Sequence, residues 1–283
     1  MVWTMYTATY ELRGPLHIGY HKVGNLQRTR YYIPARNLWG AVTEALTRRG
    51  FATKDAPQGD YRQIGEWVKA HCAFGYWFIQ ENGAPLHPHY GENTLKYGDL
   101  TAAEFERRYL DAHVTTALDA ATTSAQYGSL HEVEFIAPHS REGERTQVSG
   151  WVFLDETAQA ALDWPAWLRD LQVGGERRYG FGQLRLVSFS EGDNRGWRLD
   201  GERPSITRKS GEPLLAHTLL QNVAARGVIE PLVGRETHGE GRGDSRRFGM
   251  RLTPAQVCWM PGSVVVESVA LSVNPDGTWQ ARS

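Results

Sequence analysis

A glycine-rich turn between a predicted helix and a predicted strand constrains the fold of this 283-residue chain more than any other segment. Residues 171–186 read LQVGGERRYGFGQLRL, with four glycines interleaved with arginines and aromatic residues. Glycine lets the backbone adopt positive φ and approach a neighbouring group closely, because it has no Cβ. Successive backbone N–H groups in such a turn form a concave site for an anion. The dinucleotide and P-loop fingerprints place their glycines before a helix, so neither fits.

The turn therefore predicts a contact with a phosphate-containing ligand. Arg177 and Arg178 would donate charge-assisted hydrogen bonds to phosphate oxygens, and Tyr179 or Phe181 would stack on a base. An ordinary helix-to-strand connection is the alternative, since glycine is common after helices. The candidate residues of the turn are Gly174, Gly175, Arg177, Arg178, Tyr179, Gly180, Phe181 and Gly182.

The overall charge argues against a free-standing nucleic-acid binder, which is usually basic. The chain carries a formal net charge of −1, with a pI near 6.8. A subunit of a ribonucleoprotein, however, needs only a local basic patch. A second such patch follows the first strand, although ordinary solvated loop charges are an alternative for any one residue. Its candidate residues are His21, Lys22, Arg28, Arg30 and Arg36.

Several other classes of protein are disfavoured. No apolar run approaches the length of a membrane span, and the N-terminal MVWTMYTATYELRG lacks the pattern of an export signal. Cys72 and Cys258 are far apart, which favours free thiols and a cytoplasmic location. His71 and Cys72 with His87 and His89 give only a weak zinc signal, so we expect neither a metal nor a cofactor.

The order of the predicted elements indicates a ferredoxin-like unit. Residues 5–12 alternate as a strand, and an amphipathic helix capped by Asn37 follows, with Gly50 just past its end. A short helix is expected over 61–69, and strands are expected on both sides of a long hairpin tip at 138–147. A helix over 165–171 is expected to lead into the glycine turn, which the strand 183–189 follows. Strand, helix, hairpin, helix, strand is the split βαβ order.

A polar stretch at 191–196, EGDNRG, is the best candidate linker. It divides the chain into an N-terminal domain over 1–190 and a smaller β-rich domain over 197–283. The second domain is predicted to contain a helix over 214–225 and strands over 257–273. The expected fold class is α+β, with two ferredoxin-like (RRM-like) domains, glycine-rich loops and a β-hairpin insertion.

Together with the glycine turn, three further segments resemble the RAMP superfamily of CRISPR-associated proteins. Residues 14–19 (GPLHIG), followed by TRYYIP and LWGA, are similar to the family's opening strand, loop and helix start. Residues 115–136 (TTALDAATTSAQYGSLHEVEFI) are similar to its central segment. Residues 259–264 (WMPGSV) are similar to the "PAGSV" strand of the subunits that cap the guide's 5′ handle in type III effectors. Ala35, Arg36, Asn37 and Trp39 depart from the small and basic residues usual at the family's helix start.

The resemblance implies a noncatalytic subunit that binds guide RNA (crRNA) and caps its 5′ handle. Its partners would be the backbone RAMP subunits and the large polymerase-like subunit, with target RNA contacted indirectly and no membrane. In backbone subunits of this family the first loop often carries an aspartate that cleaves target RNA. Residues 20–30 of this chain (YHKVGNLQRTR) contain no aspartate, which favours holding RNA over cutting it.

Two enzymatic alternatives remain open. A metal-independent endoribonuclease that matures crRNA would use His17 or His21 as general acid or base, although His17 is expected to be packed and His21 to contact RNA. A backbone subunit that cleaves target RNA would use Asp119 or another carboxylate, such as Glu132 or Glu134, which share one strand face.

Overall fold

The computed structural model describes residues 1–91, 94–194, 196–237 and 248–282. Over these residues the chain is a mixed α+β protein that is rich in strands. The α-helices are α1 (Ala35–Arg48), α2 (Tyr61–His71), α3 (Ala102–Tyr109), α4 (Glu156–Ala161) and α5 (Trp164–Trp167), and a 3₁₀ turn covers Arg177–Tyr179. None of the helices in this part of the chain is long and apolar enough to cross a membrane.

The strands form one large antiparallel sheet, a second sheet near the C-terminus and several smaller ones. The main sheet contains β1 (Trp3–Leu12), β4 (Tyr32–Ile33), β5 (Cys72–Phe74), β6 (Trp77–Glu81), β7 (Ala84–Pro85), β13 (Gln147–Asp155), β14 (Asp170–Gln172) and β15 (Gln183–Glu191). A four-stranded sheet contains β2 (Gly19–Val23), β3 (Leu26–Thr29), β11 (Leu110–Thr115) and β12 (His131–Ile136), and a three-stranded one contains β8 (Pro88–Tyr90), β9 (Leu95–Tyr97) and β10 (Leu100–Thr101). The seven-stranded C-terminal sheet contains β16 (Trp197–Arg198), β17 (Ser205–Arg208), β18 (Thr218–Leu219), β20 (Ile229–Leu232), β23 (Gln256–Trp259), β25 (Val269–Val273) and β26 (Trp279–Ala281). Two strand pairs join β19 (Ala225–Arg226) to β24 (Val264–Val265) and β21 (Arg235–Thr237) to β22 (Phe248–Leu252).

The main sheet has the strand order of a ferredoxin-like unit. Its order is β14-β15-β1-β13-β6-β4, and β5 also pairs with β13. Along the chain, β1 and α1 are followed by β5 and β6, then by β13, α4 and β15. This is the β-α-β-β-α-β succession of the split βαβ motif, with the first and third strands at the centre. The sequence prediction for the N-terminal half is confirmed in this respect.

The first helices follow from their apolar spacing. Leu38, Ala41, Val42, Ala45 and Leu46 of α1 are all buried, as the predicted amphipathic face requires. The predicted cap was wrong: α1 begins at Ala35 with Pro34 in the N-cap position, because the extended backbone there suits proline. Gly50, at φ +80°, lies just past the helix end as expected.

The long hairpin lies elsewhere than predicted. Residues 138–147 form a compact turn, closed by a bridge between His139 and Arg145. The projecting hairpin is instead β11–β12, in which the connecting residues 116–129 are exposed and Tyr127 at their end is fully so. Polar composition identifies a loop correctly, but it does not tell which of two loops leaves the body of the protein.

Within the described part of the C-terminal half, the elements are strands and turns. Residues 214–225, predicted as a helix, contain β18 and turns, and no helix occurs among the described residues after 196. In β18, Thr218 pairs with both Trp259 and Trp279, so strand pairing overrides the helical apolar spacing. The strands predicted over 257–273 are present as β24, β25 and most of β23.

The two large sheets pack against each other through tryptophans. The ring of Trp197 lies 5.1 Å from that of Trp151 and 6.1 Å from that of Trp279. The indole N–H of Trp3 donates to the carbonyl of Gly201 at 3.2 Å. In sequence, the strands of the main sheet lie before residue 192 and those of the C-terminal sheet lie after residue 196. One hydrophobic cluster, however, contains residues from both sheets. A division into two domains at 191–196 stays a prediction.

Candidate nucleic-acid interface

The glycine turn is held tightly against the segment that follows β1. Gly174 has φ +87°, and a Cβ on it would lie 2.3 Å from the carbonyl oxygen of His17. Gly182 has φ +75°, and a Cβ on it would lie 1.8 Å from the carbonyl oxygen of Val173. Only glycine fits either place. The glycines therefore fix the shape of the turn by letting backbone segments meet.

Several backbone N–H groups of the turn donate to carbonyls of the protein itself. The N–H of Gly175 donates to His17 at 2.8 Å, and that of Gly182 donates to Pro15 at 2.7 Å. Tyr179, Gly180 and Phe181 also donate to carbonyls within the turn. These five donors are used inside the protein and are not available to a phosphate, so the exposed side chains of the turn matter for any contact with one.

Three of the predicted side chains do face solvent. Arg177 and Arg178 are exposed, and Tyr179 is 80% exposed. Arg177 reaches Glu44 of α1 at 3.5 Å, whereas Arg178 makes no ion pair with any residue that the structure describes. The turn thus presents two cations and a phenol ring together at the surface.

Phe181 is a correction to the sequence prediction. Its side chain is buried and packs edge-on against Phe135, with ring centroids 5.5 Å apart. It is part of the protein interior and is not placed to stack on a base.

The basic segment after β1 forms the hairpin β2–β3 beside the turn. His17, which contacts Gly174 and Gly175, lies two residues before β2. His21 and Lys22 on β2 are exposed, and the ring of His21 lies edge-on to Tyr20 at 4.2 Å. These two side chains therefore add to the exposed polar surface near the turn.

Arg28, in contrast, is engaged within the protein. Its Nε donates to Glu134 at 3.2 Å, its guanidinium also donates to the hydroxyl of Tyr31, and Glu106 lies 3.5 Å away. Glu134 also accepts the backbone N–H of Thr29 at 3.0 Å. This carboxylate holds the base of the hairpin, and its partners are protein atoms.

Arg30 lies in a buried polar network between the N-terminal half and the C-terminal sheet. Its guanidinium donates to Glu230 at 2.7 Å and to the hydroxyl of Tyr32 at 3.1 Å. His217 donates to the same carboxylate through Nε2 and accepts from the hydroxyl of Tyr76 at 2.7 Å. The side chain of Arg30 is only 10% exposed. It therefore joins two parts of the fold and is not available to RNA in this structure.

Burial and hydrogen bonding set the charge states in this network. Burial lowers the pKa of His217, so the imidazole is neutral and both nitrogens are satisfied as described. Burial alone would raise the pKa of Glu230, but hydrogen bonds from His217 and Arg30 outweigh it and lower that pKa. The result is one buried cation, Arg30, opposite one buried carboxylate.

Arg36, in the first turn of α1, is half-buried. A Cβ on Gly234 would lie 2.3 Å from its Nε, so the guanidinium packs on the backbone there. Farther along α1, Glu44 and Arg48 share one helix face, because residues four apart on a helix are neighbours. Sequence reasoning missed Glu44 and Arg48, although this spacing of four was the signal that points to them.

The candidate catalytic groups are bound in structural roles. His17 is 5% exposed and donates from Nδ1 to the carbonyl of Glu134 at 2.7 Å, which confirms the packed histidine expected from the sequence. Asp119 accepts the N–H groups of Ala121 and Thr122, both at 2.9 Å, and these bonds lower its pKa. His71 donates to Asp155 at 2.7 Å, and no group of three or more metal-binding side chains occurs among the described residues.

Comparison with known proteins identifies the family. The model of the RAMP superfamily matches residues 9–185, which is more than half of the chain. The chain belongs to the RAMP superfamily. The matched range of this RAMP protein contains the basic hairpin, β11–β12 and the glycine turn, and it ends before the C-terminal sheet. No curated protein matches the sequence.

Solved structures share the fold at low sequence identity. One chain in the cryo-EM structure of Type III-B Cmr-beta bound to cognate target RNA and AMPPnP, state 1, has a TM-score of 0.56 and 15% identity, covering 92% of this chain and 85% of that one. A chain in the structure bound to cognate target RNA has a TM-score of 0.55 and 14% identity, covering 92% and 86%. These matches establish a common fold that extends over both sheets.

Proposed function

We propose that this RAMP protein is a noncatalytic RNA-binding subunit of a type III CRISPR ribonucleoprotein that holds the guide RNA and caps its 5′ handle. Its partners are the guide RNA, the neighbouring RAMP subunits and the large polymerase-like subunit. The observation that carries the proposal is the glycine turn, in which Arg177, Arg178 and Tyr179 stand exposed on a backbone fixed by glycine contacts.

The chemistry of this surface suits a single-stranded nucleic acid. Cationic side chains neutralise backbone phosphates, and an exposed aromatic ring stacks on a base without sequence preference. The His21 and Lys22 side chains of the neighbouring hairpin extend the same surface. Arg28 and Arg30 support it from within, since both are paired with carboxylates.

The projecting hairpin β11–β12 is the segment that reaches over the guide. Residues 114–130 contain no lysine or arginine, and Leu118 and Tyr127 on this hairpin are strongly exposed. A hairpin connection without cations but with exposed apolar and aromatic side chains suits contact with bases more than with phosphates.

The capping role rests on residues 259–264, which resemble the late strand of handle-capping subunits. In the structure they connect β23 to β24, and the N–H of Gly262 donates to Leu214 at 2.7 Å while its backbone packs on Pro88. A cap is present once per complex, so counting copies in the assembled particle separates it from a backbone subunit.

The experiment is to replace Arg177 and Arg178 together by Glu and to purify the assembled complex from cells. We expect the guide RNA to be lost, as measured by the 260 to 280 nm absorbance ratio and by gel analysis of extracted RNA. Repulsion between two carboxylates and the phosphates makes the effect large. The matched control replaces Arg107 and Arg198, also exposed, by Glu. Unchanged RNA content in the Arg177/Arg178 variant would overturn the proposal.

The same preparation tests whether the protein is instead a nuclease that matures guide RNA. Of the two candidate histidines, His21 is exposed, whereas His17 is buried and bonded to a carbonyl. Incubation with repeat RNA without metal is expected to leave the RNA intact. Specific cleavage that disappears in His21→Ala would replace the noncatalytic role by an enzymatic one.

A further inference from the structure

A second basic cluster lies at the base of the glycine turn, where the strands β14 and β15 flank it. A cleft of about 360 Å³ opens between the end of α1 and the strands β14 and β15. Small-molecule sites have volumes of roughly 300 to 1,000 Å³, so the cleft is large enough for one nucleotide. It is lined by Arg13, Arg48, Asp170, Leu171, Gln172, Gln183, Leu184 and Arg185.

Five arginines in and around this cleft outnumber the three carboxylates that pair with them: Arg13, Arg48, Arg145, Arg177 and Arg185 against Glu11, Glu44 and Asp170. Glu11 is shared by Arg13 at 2.8 Å and Arg145 at 3.6 Å. Glu44 is likewise shared, by Arg48 at 3.4 Å and by Arg177 of the glycine turn at 3.5 Å. A carboxylate that serves two guanidinium groups leaves one positive charge over, so each shared carboxylate leaves a net cation in or beside the cleft.

The third cation is held in place but remains accessible. Arg185 contacts both oxygens of Asp170, at 2.7 and 2.9 Å, which orients its guanidinium across the edge of the sheet. The side chains of Arg13, Arg48 and Arg185 are 53%, 64% and 38% exposed. Ion pairs this exposed contribute little, so a phosphate can replace a carboxylate at small loss.

We propose that this cleft binds the phosphate group of a nucleotide, and that the phosphate belongs to the RNA strand that passes the glycine turn. The assignment of this phosphate to the RNA strand rests on the proposed function. The link between the two sites is Glu44, whose carboxylate bridges Arg48 of the cleft and Arg177 of the turn. When a phosphate of the RNA strand binds Arg177, Glu44 keeps only Arg48 as its partner. The next phosphates of the same strand then lie at the cleft. A free nucleotide offers the same chemistry and is the competing source of the phosphate.

The experiment uses the purified full chain and a fluorescein-labelled single-stranded RNA of about ten nucleotides, a length within the range of known single-strand sites. The cleft variant carries Arg48→Gln and Arg185→Gln. The matched control carries Arg141→Gln and Arg198→Gln, which are 60% and 61% exposed and each paired with one carboxylate. Thermal melting establishes that both variants fold. Fluorescence anisotropy then gives the RNA affinity at several salt concentrations, and AMP and inorganic phosphate are titrated separately into each protein.

The cleft variant is expected to bind this RNA about tenfold more weakly, with a shallower salt dependence, because it has lost charge-assisted contacts to phosphate. The control is expected to bind like the unmodified protein, and AMP to bind neither tightly.

The other outcomes separate this proposal from the proposed function. If the cleft variant binds RNA like the control and AMP binds no protein, the cleft proposal is overturned while the RNA-binding role stands. If AMP binds the unmodified protein but not the cleft variant, and RNA binds both equally, the phosphate site stands and its assignment to the RNA strand is overturned. If no protein binds RNA yet AMP binds through the cleft, the proposed function fails and the cleft is a nucleotide site.

Discussion

The glycine turn and the basic hairpin β2–β3 have the same composition but opposite arrangements. Both combine glycine, aromatic residues and arginine, and both lie beside His17. In the turn, Arg178 and Tyr179 are directed into solvent. In the hairpin, Arg28 and Arg30 are held by carboxylates from elsewhere in the chain.

The difference shows that an arginine's role depends on whether the fold brings a carboxylate to it. Glu134 is 106 residues from Arg28, and Glu230 is 200 residues from Arg30. Such partners neutralise the hairpin arginines and convert them into structural ties. Arg178 receives no such partner from the described residues, so its charge is left for a ligand. The arginines of the hairpin therefore stabilise the fold, whereas those of the turn are exposed to a ligand.

Substitution of Arg30 is expected to have the largest effect on stability, and it tests this difference between the hairpin and the turn. In Arg30→Ala, Glu230 loses its cationic partner while still buried, which costs about 3–5 kcal/mol of unfolding free energy. Arg178→Ala, at an exposed position, is expected to change stability by less than about 0.5 kcal/mol. Urea denaturation of the two variants gives both values.

A second substitution makes the result specific to the ion pair. Glu230→Gln in the Arg30→Ala background removes the lone buried charge, so part of the stability should return. If Arg30→Ala instead melts like the unmodified protein and loses RNA, then Arg30 is a ligand of RNA, and the two regions do not differ as argued.

The next largest effect is expected from a substitution that changes the shape of the glycine turn. Gly182→Ala forces a Cβ to within 1.8 Å of the carbonyl of Val173 at a positive φ. Strain at such positions costs about 1–3 kcal/mol, and relief of the clash must move the turn as well. We therefore expect a loss of stability together with a loss of RNA binding, measured by thermal melting and by anisotropy.

Gly143 supplies the matched control for that clash. It has φ +89°, but a Cβ on it would meet no atom within 4 Å. Gly143→Ala should therefore show the strain of the backbone alone, with RNA binding intact. Equal behaviour of the two variants would mean that the close approach at Gly182 does not hold the turn in shape.

Much of the N-terminal fold was predictable because its signals are local. The alternation in β1, the apolar face of α1 and the glycine after its end each depend on a few consecutive residues, and the ferredoxin-like order follows from them. The predicted helix over 214–225, which was wrong, has a helical apolar spacing, but its residues pair with strands 39 to 61 positions later. Periodicity contains no information about such partners.

In the candidate site, too, local features were predictable and features that depend on distant residues were not. The positive φ angles of Gly174 and Gly182 and the exposed side chains at Arg177, Arg178 and Tyr179 follow from the turn's own sequence. The burial of Phe181 against Phe135 and the pairing of Arg30 with Glu230 depend on distant segments, so composition misassigned both residues. A positive charge visible in sequence is a potential ligand only until its partners are known.

The smallest expected effect on stability, and the sharpest on function, is at Tyr179. Its ring is 80% exposed, so Tyr179→Ala should leave the melting temperature unchanged while removing a stacking surface. Stacking of one base on an aromatic ring contributes about 1–3 kcal/mol, and RNA affinity should fall accordingly. Tyr179→Phe keeps the ring and should keep the affinity, which distinguishes stacking from a hydroxyl contact. If Tyr179→Ala binds RNA normally, the exposed ring of the turn has no part in holding RNA, and its two arginines act on phosphate alone.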